Sequence, residues 1–156
     1  MKIKLIVVGK TDETYLTEGI KKYFERVKHY VSFDIEIIPD VKMGKKSNIN
    51  IQKEKEGELI LAKIKKSDFL ILLDEKGKEF DSVGFSQFLQ KRMNAGLDLV
   101  FVIGGPFGFS KAVYQQAQSK IAISQMTFSH QMIRLLFIEQ LYRGFSILKG
   151  EKYHHI

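Results

Sequence analysis

The sequence predicts an α/β fold: a mainly parallel sheet with helices on both faces, in one domain over residues 1–156. Three observations carry this. Apolar runs of strand length alternate with helix-period segments from one end of the chain to the other. Most of those runs are continuously apolar, as strands covered on both faces are. The chain has 156 residues, 44% hydrophobic and 28% charged, a composition that excludes disorder, collagen and coiled coil. A domain of that length buries roughly 68–70% of its unfolded surface.

The first strand is residues 3–8 (IKLIVV), closed by Gly9. Asp12 and Thr14 offer caps for a helix to about Tyr30, with Leu16, Ile20, Tyr23, Phe24 and Val27 on its apolar side. Residues 33–38 (FDIEII) stop at Pro39-Asp40 and read as a second strand. Residues 41–50, basic and bearing Gly, Ser and Asn, read as an exposed loop. Residues 51–65 place Ile51, Leu59, Ile60, Ala62 and Ile64 among dense charges, the pattern of an amphipathic helix. A third strand, residues 69–73 (FLILL), exits through the polar run Asp74-Glu75-Lys76-Gly77-Lys78. Residues 82–93 follow as a helix, and residues 98–103 (DLVFVI) as a strand leading straight into Gly104-Gly105-Pro106-Phe107-Gly108. A helix from about Ser110, a short strand near residues 121–123, and a long helix over residues 129–148 complete the order, with a polar tail from Gly150.

Charge and composition narrow the function. The net charge is +7, and basic residues dominate both ends: 15 Lys/Arg against 10 Asp/Glu in residues 1–66, and 6 against 2 in residues 99–156. A basic protein of this kind suits a polyanion such as nucleic acid, or simply carries a solvated lysine-rich surface. The chain has no cysteine, which removes disulfides, thiolate catalysis and cysteine zinc sites. No apolar run approaches the roughly 18 residues of a membrane span. The N-terminal apolar run is too short for a secretion signal, so the start reads as a mature cytoplasmic one.

Three segments carry candidate chemistry. The Gly104–Gly108 turn follows a strand and precedes a helix, where α/β proteins bind ligands. It is neither GxGxxG nor a phosphate loop ending in Gly-Lys-Ser/Thr, so it points to a nucleoside-type ligand or to a tight turn. Ser124-Gln125-Met126-Thr127-Phe128-Ser129-His130 lies between the short strand and the last helix. Its backbone, Met126 and Phe128 suit a pocket wall, while Thr127 or Ser129 also suits a helix cap. The tail offers Tyr153, His154 and His155, either a frayed end or a group for proton transfer and nucleic-acid contact. No acidic residue or cysteine joins the histidines at ligand spacing, so no metal site is expected. The last helix is apolar on most of its surface, with Ile133, Phe137, Leu141 and Leu148 on one face and Met132, Leu135, Ile138, Tyr142 and Phe145 on another. In a chain this small, a partner subunit is the expected second wall, and a symmetric homodimer the commonest form.

Taken together, VIGGPFG, SQMTFSHQMIR and IEQLYRGFSILKGEKYH resemble the single-domain RlmH family of SPOUT-class methyltransferases. The resemblance extends to the KIKLIVVGK start, to Glu54-Lys55-Glu56-Gly57 and to the Leu73–Lys78 strand exit. It implies a C-terminal deep trefoil knot, which hydrophobic periodicity cannot reveal. It implies methylation of N3 of a pseudouridine in large-subunit (23S) ribosomal RNA, on the assembled ribosome, with S-adenosylmethionine as cofactor. By position, the implied cofactor residues are Leu73, Gly105, Ser124, Gln125, Met126, Thr127, Phe128 and Ser129. It also implies a homodimer whose site is shared across the interface. Relatives usually carry Pro at position 129 and Arg or Lys at position 155, where this chain has Ser129 and His155.

The pseudouridine N3 proton must leave before that nitrogen attacks a methyl group, which calls for a base or for a positive group that stabilises the anion. His154 is the expected proton acceptor or substrate anchor, and Arg143 the expected charge or helix anchor. Tyr153 joins them, and Arg134 and His155 are further candidates. Two rivals stand beside this reading. One is a ribosome-binding module with a dead ligand pocket; the other is a SPOUT enzyme acting on transfer RNA, which usually needs an added RNA-binding domain.

Overall fold

The structure is a computed structural model and describes residues 1–41 and 48–155. The loop expected over residues 41–50 lies largely outside the described residues. Five strands form one sheet: β1 (Lys2–Val8), β2 (Ser32–Ile38), β3 (Phe69–Glu79), β4 (Leu99–Ile103) and β5 (Ser119–Ala122). Five helices connect or follow them: α1 (Thr14–Val27), α2 (Ile49–Leu61), α3 (Ser82–Asn94), α4 (Lys111–Gln116) and α5 (Met132–Leu148). The strand order is β2-β1-β4-β3-β5, and each pairing is parallel. Parallel neighbours require crossovers, and the intervening helices supply them.

Alternation along each strand divides the core into two. Ile3, Leu5, Val7, Leu99, Phe101 and Ile103 point to the face shared with Val27 of α1, Phe85 and Leu89 of α3, and Phe137, Leu141 and Phe145 of α5. Ile6, Val8, Leu70, Leu72, Val100 and Val102 point to the other face, where Ile60 of α2 and Val113 of α4 cover them. Both faces of the central strands are dry, which is why their sequences run apolar without a break.

Three expectations need correction. Neither Asp12 nor Thr14 caps α1: Glu13 holds the capping position without a side-chain bond, and the Asp12 amide donates instead to Gln131 Oε1 at 3.0 Å. Helix α2 begins earlier than its apolar residues suggest, because Asn48 caps it by accepting the Ile51 amide at 2.8 Å. Its buried positions are Glu56, Gly57 and Ile60, while Ile51 and Leu59 are exposed. A Cβ on Gly57 would stand 2.4 Å from Ser110 Oγ, so this glycine lets α2 meet the start of α4. Strand β3 continues through the polar residues to Glu79: after a shift in register, Lys78 and Glu79 pair again with Ile121 and Ala122. Pairing, not burial, makes that stretch a strand.

The last helix, α5, packs on its own chain along one side. The sheet lies beneath it, with α1 and α3 on its flanks, while Met132, Ile133, Leu135, Leu136, Tyr142, Ile147 and Leu148 are only half-buried. Gly19 of α1 brings Leu135 within 3.0 Å of a would-be Cβ, and Gly144 of α5 does the same for Leu89 of α3. Phe137, Ile138, Leu141 and Phe145 are buried without a partner subunit.

Candidate active site

Strands β4 and β5 end on either side of β3, and a cavity of about 820 Å³ opens at their carboxyl ends, over Leu73–Lys76 in the middle of β3. That is the expected place and size for a small-molecule site in a parallel sheet. Leu73, Ile103 and Ile121 form its floor. The Gly104–Gly108 turn makes one wall, and Ser124, Met126, Thr127, Phe128 and Ser129 make another. Of the eight residues expected to hold a cofactor, seven therefore meet at one cavity; Gln125 is exposed and does not line it.

The wall formed by residues 124–128 is irregular, and its backbone groups make no backbone–backbone hydrogen bonds among the described residues. The Met126 amide is turned to Ser124 Oγ at 3.0 Å. The remaining peptide groups are free to meet a ligand, and unpaired peptide groups seek a partner. Ser129 anchors the end of the segment. Its Oγ accepts the Met132 amide at 3.0 Å and its carbonyl accepts the Ile133 amide at 3.1 Å. It thus steadies the start of α5, although the formal capping position is Gln131.

Gly105 has a reason to be glycine that differs from the expected one. A Cβ there would lie 2.7 Å from Oε1 of buried Glu56. The crowding comes from α2 behind the loop, so Glu56 sets how deep the turn can sit. Gln52 Nε2 holds the other oxygen of Glu56 at 3.0 Å. The turn closes on itself through the Gly108 amide donating to the Gly105 carbonyl at 3.1 Å, with Gly108 at φ +84°.

Charge at the rim comes from residues that sequence reasoning treated only as a strand exit. Asp74 and Glu75 line the cavity, with Lys76 and Lys53 beside them. Tyr114 donates its hydroxyl to Asp74, and Thr127 donates to Glu75. Burial, then the Asp74 hydrogen bond and charge, push the Tyr114 pKa well above the usual tyrosine value, so it stays a donor. Only their place at the carboxyl end of a parallel strand could have singled out these carboxylates.

Through His155, the described part of the tail lies elsewhere. The Glu151 amide donates to the Ser146 carbonyl at 2.9 Å, and Tyr30 donates to Glu151. Tyr153 donates to Glu139 Oε1 at 2.9 Å, and Arg143 Nη1 lies 3.1 Å from His154 Nδ1. Arg143, Tyr153 and His154 are thus together, as expected, but none of them lines the 820 Å³ cavity of its own chain. His154 instead borders a second cavity, of about 520 Å³, which shares Ile121 and Ile123 with the first.

Arg134 is a structural residue. It is 2% exposed and donates to the carbonyls of Val8 at 2.7 Å, Gly9 at 2.8 Å and His130 at 3.0 Å, and to Thr11 Oγ1 at 3.1 Å. Burial lowers its pKa, opposed by Asp12 and Asp40. Four of its five N–H donors are engaged within the chain and the side chain is buried, so it is placed to hold the fold and not a substrate.

A parallel α/β sheet with a cavity at its strand ends, walled by an irregular segment ahead of the last helix, is the architecture of the SPOUT class. Residues 1–154 match the family described as predicted SPOUT methyltransferase. The chain is 60% identical over 156 residues to the ribosomal RNA large subunit methyltransferase H of Christiangramia forsetii, and 61% to that of Flavobacterium johnsoniae, with 99% of each chain covered in both cases. The chain belongs to the SPOUT methyltransferases and, among them, to the RlmH family. Family membership implies the C-terminal trefoil knot. A solved structure, a probable methylase family protein from Haemophilus influenzae Rd KW20, shares the fold with a TM-score of 0.52 at 10% identity, over 99% of this chain and 70% of that one.

Proposed function

We propose that this methyltransferase binds S-adenosylmethionine in the 820 Å³ cavity and methylates N3 of a pseudouridine in 23S ribosomal RNA. The observation that carries the cofactor reading is the segment 124–128, which makes no backbone–backbone hydrogen bonds among the described residues and lends Ser124, Met126, Thr127 and Phe128 to the lining of a cavity of nucleoside size. The ligand chemistry fits the donor set: Met126, Phe128 and Ile133 suit an adenine ring, free peptide groups suit its edge, and Asp74 and Glu75 suit a cationic sulfonium. The bound cofactor supplies an electrophilic methyl group. The chain's own residues bind and orient; holding two reactants in line provides much of the acceleration without a dedicated base. The substrate class follows from relatives of full-length likeness whose names state ribosomal RNA large subunit methylation.

The same reading places the protein in the cytoplasm as a homodimer acting on the assembled ribosome. No helix among the described residues is long and apolar enough to cross a membrane. Because Tyr153 and His154 do not reach the cavity of their own chain, the reading has each tail serve the partner subunit's cavity.

Two measurements test it. Calorimetry on the purified protein should show stoichiometric S-adenosylmethionine binding. Mass mapping of 23S ribosomal RNA, from cells with and without the gene, should show one methyl group lost from one pseudouridine. A protein that binds the cofactor but leaves 23S RNA unchanged would overturn the substrate assignment; one that binds none would overturn the site.

A further inference from the structure

The tail and α5 together build a contact that sets the state of one imidazole. Glu139 lies on α5 one turn before Arg143. Its Oε1 accepts Arg143 Nη2 at 2.6 Å and the Tyr153 hydroxyl at 2.9 Å, and its Oε2 accepts Gln140 Nε2 at 3.0 Å. The guanidinium also lies over the Tyr153 ring, 4.7 Å from the centroid. The Glu139 hydrogen bond raises the Arg143 pKa, with burial opposing it. Arg143 is thereby fixed in place with Nη1 aimed at His154 Nδ1, 3.1 Å away.

A guanidinium has donors and no acceptor. It can meet a ring nitrogen in a hydrogen bond only if that nitrogen presents a lone pair. Neutral imidazole carries one N–H, so with Nδ1 accepting, the proton sits on Nε2. His154 Nε2 makes no hydrogen bond among the described residues, and the ring borders the 520 Å³ cavity. The one carboxylate lining that cavity is Asp81, whose Oδ1 accepts the Gly84 amide at 2.7 Å as the cap of α3.

We propose that Arg143 is a positioning residue that locks His154 as the Nε2–H tautomer, so that His154 meets the target base as a hydrogen-bond donor and not as a proton acceptor. The donor role rests on the function proposed above; the tautomer does not. Such a donor suits the chemistry. As the N3 proton of pseudouridine is lost to water, negative charge spreads onto the two flanking carbonyl oxygens, and a fixed N–H directed at one of them stabilises that charge. With Nδ1 engaged and the proton on Nε2, His154 fills the substrate-anchor half of its expected role and not the proton-acceptor half.

The test begins without substrate. In the full-length protein labelled with ¹⁵N-histidine, long-range ¹H–¹⁵N correlation reads which ring nitrogen carries the proton, and His154→Gln assigns the signals. The expected result is protonated Nε2 and unprotonated Nδ1 in the wild type, a mixture in Arg143→Met, and recovery of the wild-type state in Arg143→Lys. Two isosteres then test the role. Gln places an N–H₂ donor where Nε2 stood, whereas Asn reaches only the Nδ1 position. His154→Gln should retain at least about tenfold more turnover on ribosomes than His154→Asn, with equal S-adenosylmethionine affinity. A proton on Nδ1 in the wild type, an unchanged tautomer in Arg143→Met, or an Asn variant as active as the Gln variant would each overturn the proposal. An inactive wild-type protein would instead count against the proposed function, because the NMR result needs no RNA.

Discussion

At the scale of single residues, Gly105 and Glu36 show how neighbours decide what a position tolerates. The nearest obstacle to a side chain at 105 is the Glu56 carboxylate, 2.7 Å from the Cβ position, and Glu56 is 5% exposed with one oxygen tied to Gln52. Gly105→Ala should therefore push the turn into the cavity and weaken S-adenosylmethionine binding by roughly tenfold. Adding Glu56→Ala should restore much of that affinity, a coupling of about 1 kcal/mol between touching residues. Strictly additive effects by calorimetry would mean that Gly105 serves the ligand directly, as the sequence alone suggested. Glu36 offers a pH test. Partial burial opposes its ionisation, but hydrogen bonds and charge from Lys63 and Lys4, at 3.2 and 3.3 Å, outweigh it and hold its pKa below the usual carboxylate value. A depressed carboxylate contributes stability above its unfolded pKa and loses it as pH falls through the folded one. The group is about a third exposed, so Glu36→Gln should cost under about 1 kcal/mol at neutral pH. In urea titrations that cost should shrink toward zero in acid; a constant difference across pH would show that the pairs contribute nothing.

At the scale of elements, what the sequence made legible follows from burial. The strands with two dry faces, β1 and β4, stand out as unbroken apolar runs, and their observed bounds differ from the expected ones by a residue. The second half of β3 did not stand out, because its register with β5 depends on main-chain bonds and on Gly77, whose Cβ would strike the Ile121 amide at 2.6 Å. Periodicity carries no such information. Helix α5 is legible only in part, for a related reason. Its wide apolar surface is visible in sequence, but the glycines in α1 and in α5 itself that let the three helices pack closely are not marked as contacts. Arg134 shows the same limit: a charge on an apolar helix resembles a functional group until its donors are traced. It ties α5 to the end of β1 through the Val8 and Gly9 carbonyls. Arg134→Met should leave those carbonyls and that of His130 buried without a donor, costing about 2–4 kcal/mol. Because His130 lines the cavity and is held by Arg134, cofactor affinity should fall with stability. A loss below about 0.5 kcal/mol in urea unfolding would show that water replaces the guanidinium.

At the scale of the whole molecule, the central question is how a cavity and a tail on different parts of one chain act together. The 820 Å³ cavity lies at the ends of β4 and β5, over the middle of β3, while Tyr153 and His154 are pinned to α1 and α5 through Tyr23, Glu139 and Arg143. One chain therefore holds both halves of the proposed site without joining them, and a two-fold pairing is the simplest operation that brings them together. The net charge of +7 suits the same assembly, since a basic pair presents its charge to one polyanion. Complementation tests this directly. A chain ending at Lys152 keeps the cavity and loses the tail; a Gly105→Val chain keeps the tail and loses the cavity. Each alone should methylate ribosomes at a small fraction of the wild-type rate. Mixed by refolding or co-expression, random pairing gives about half heterodimers, each with one intact site of two, so activity should recover to roughly a quarter of wild type. Sites contained within one chain would give no recovery at all, because every cavity would then have either a defective wall or a missing tail. Sedimentation of the same mixture should find dimers; recovery without dimers, or dimers without recovery, would each break the link between assembly and catalysis.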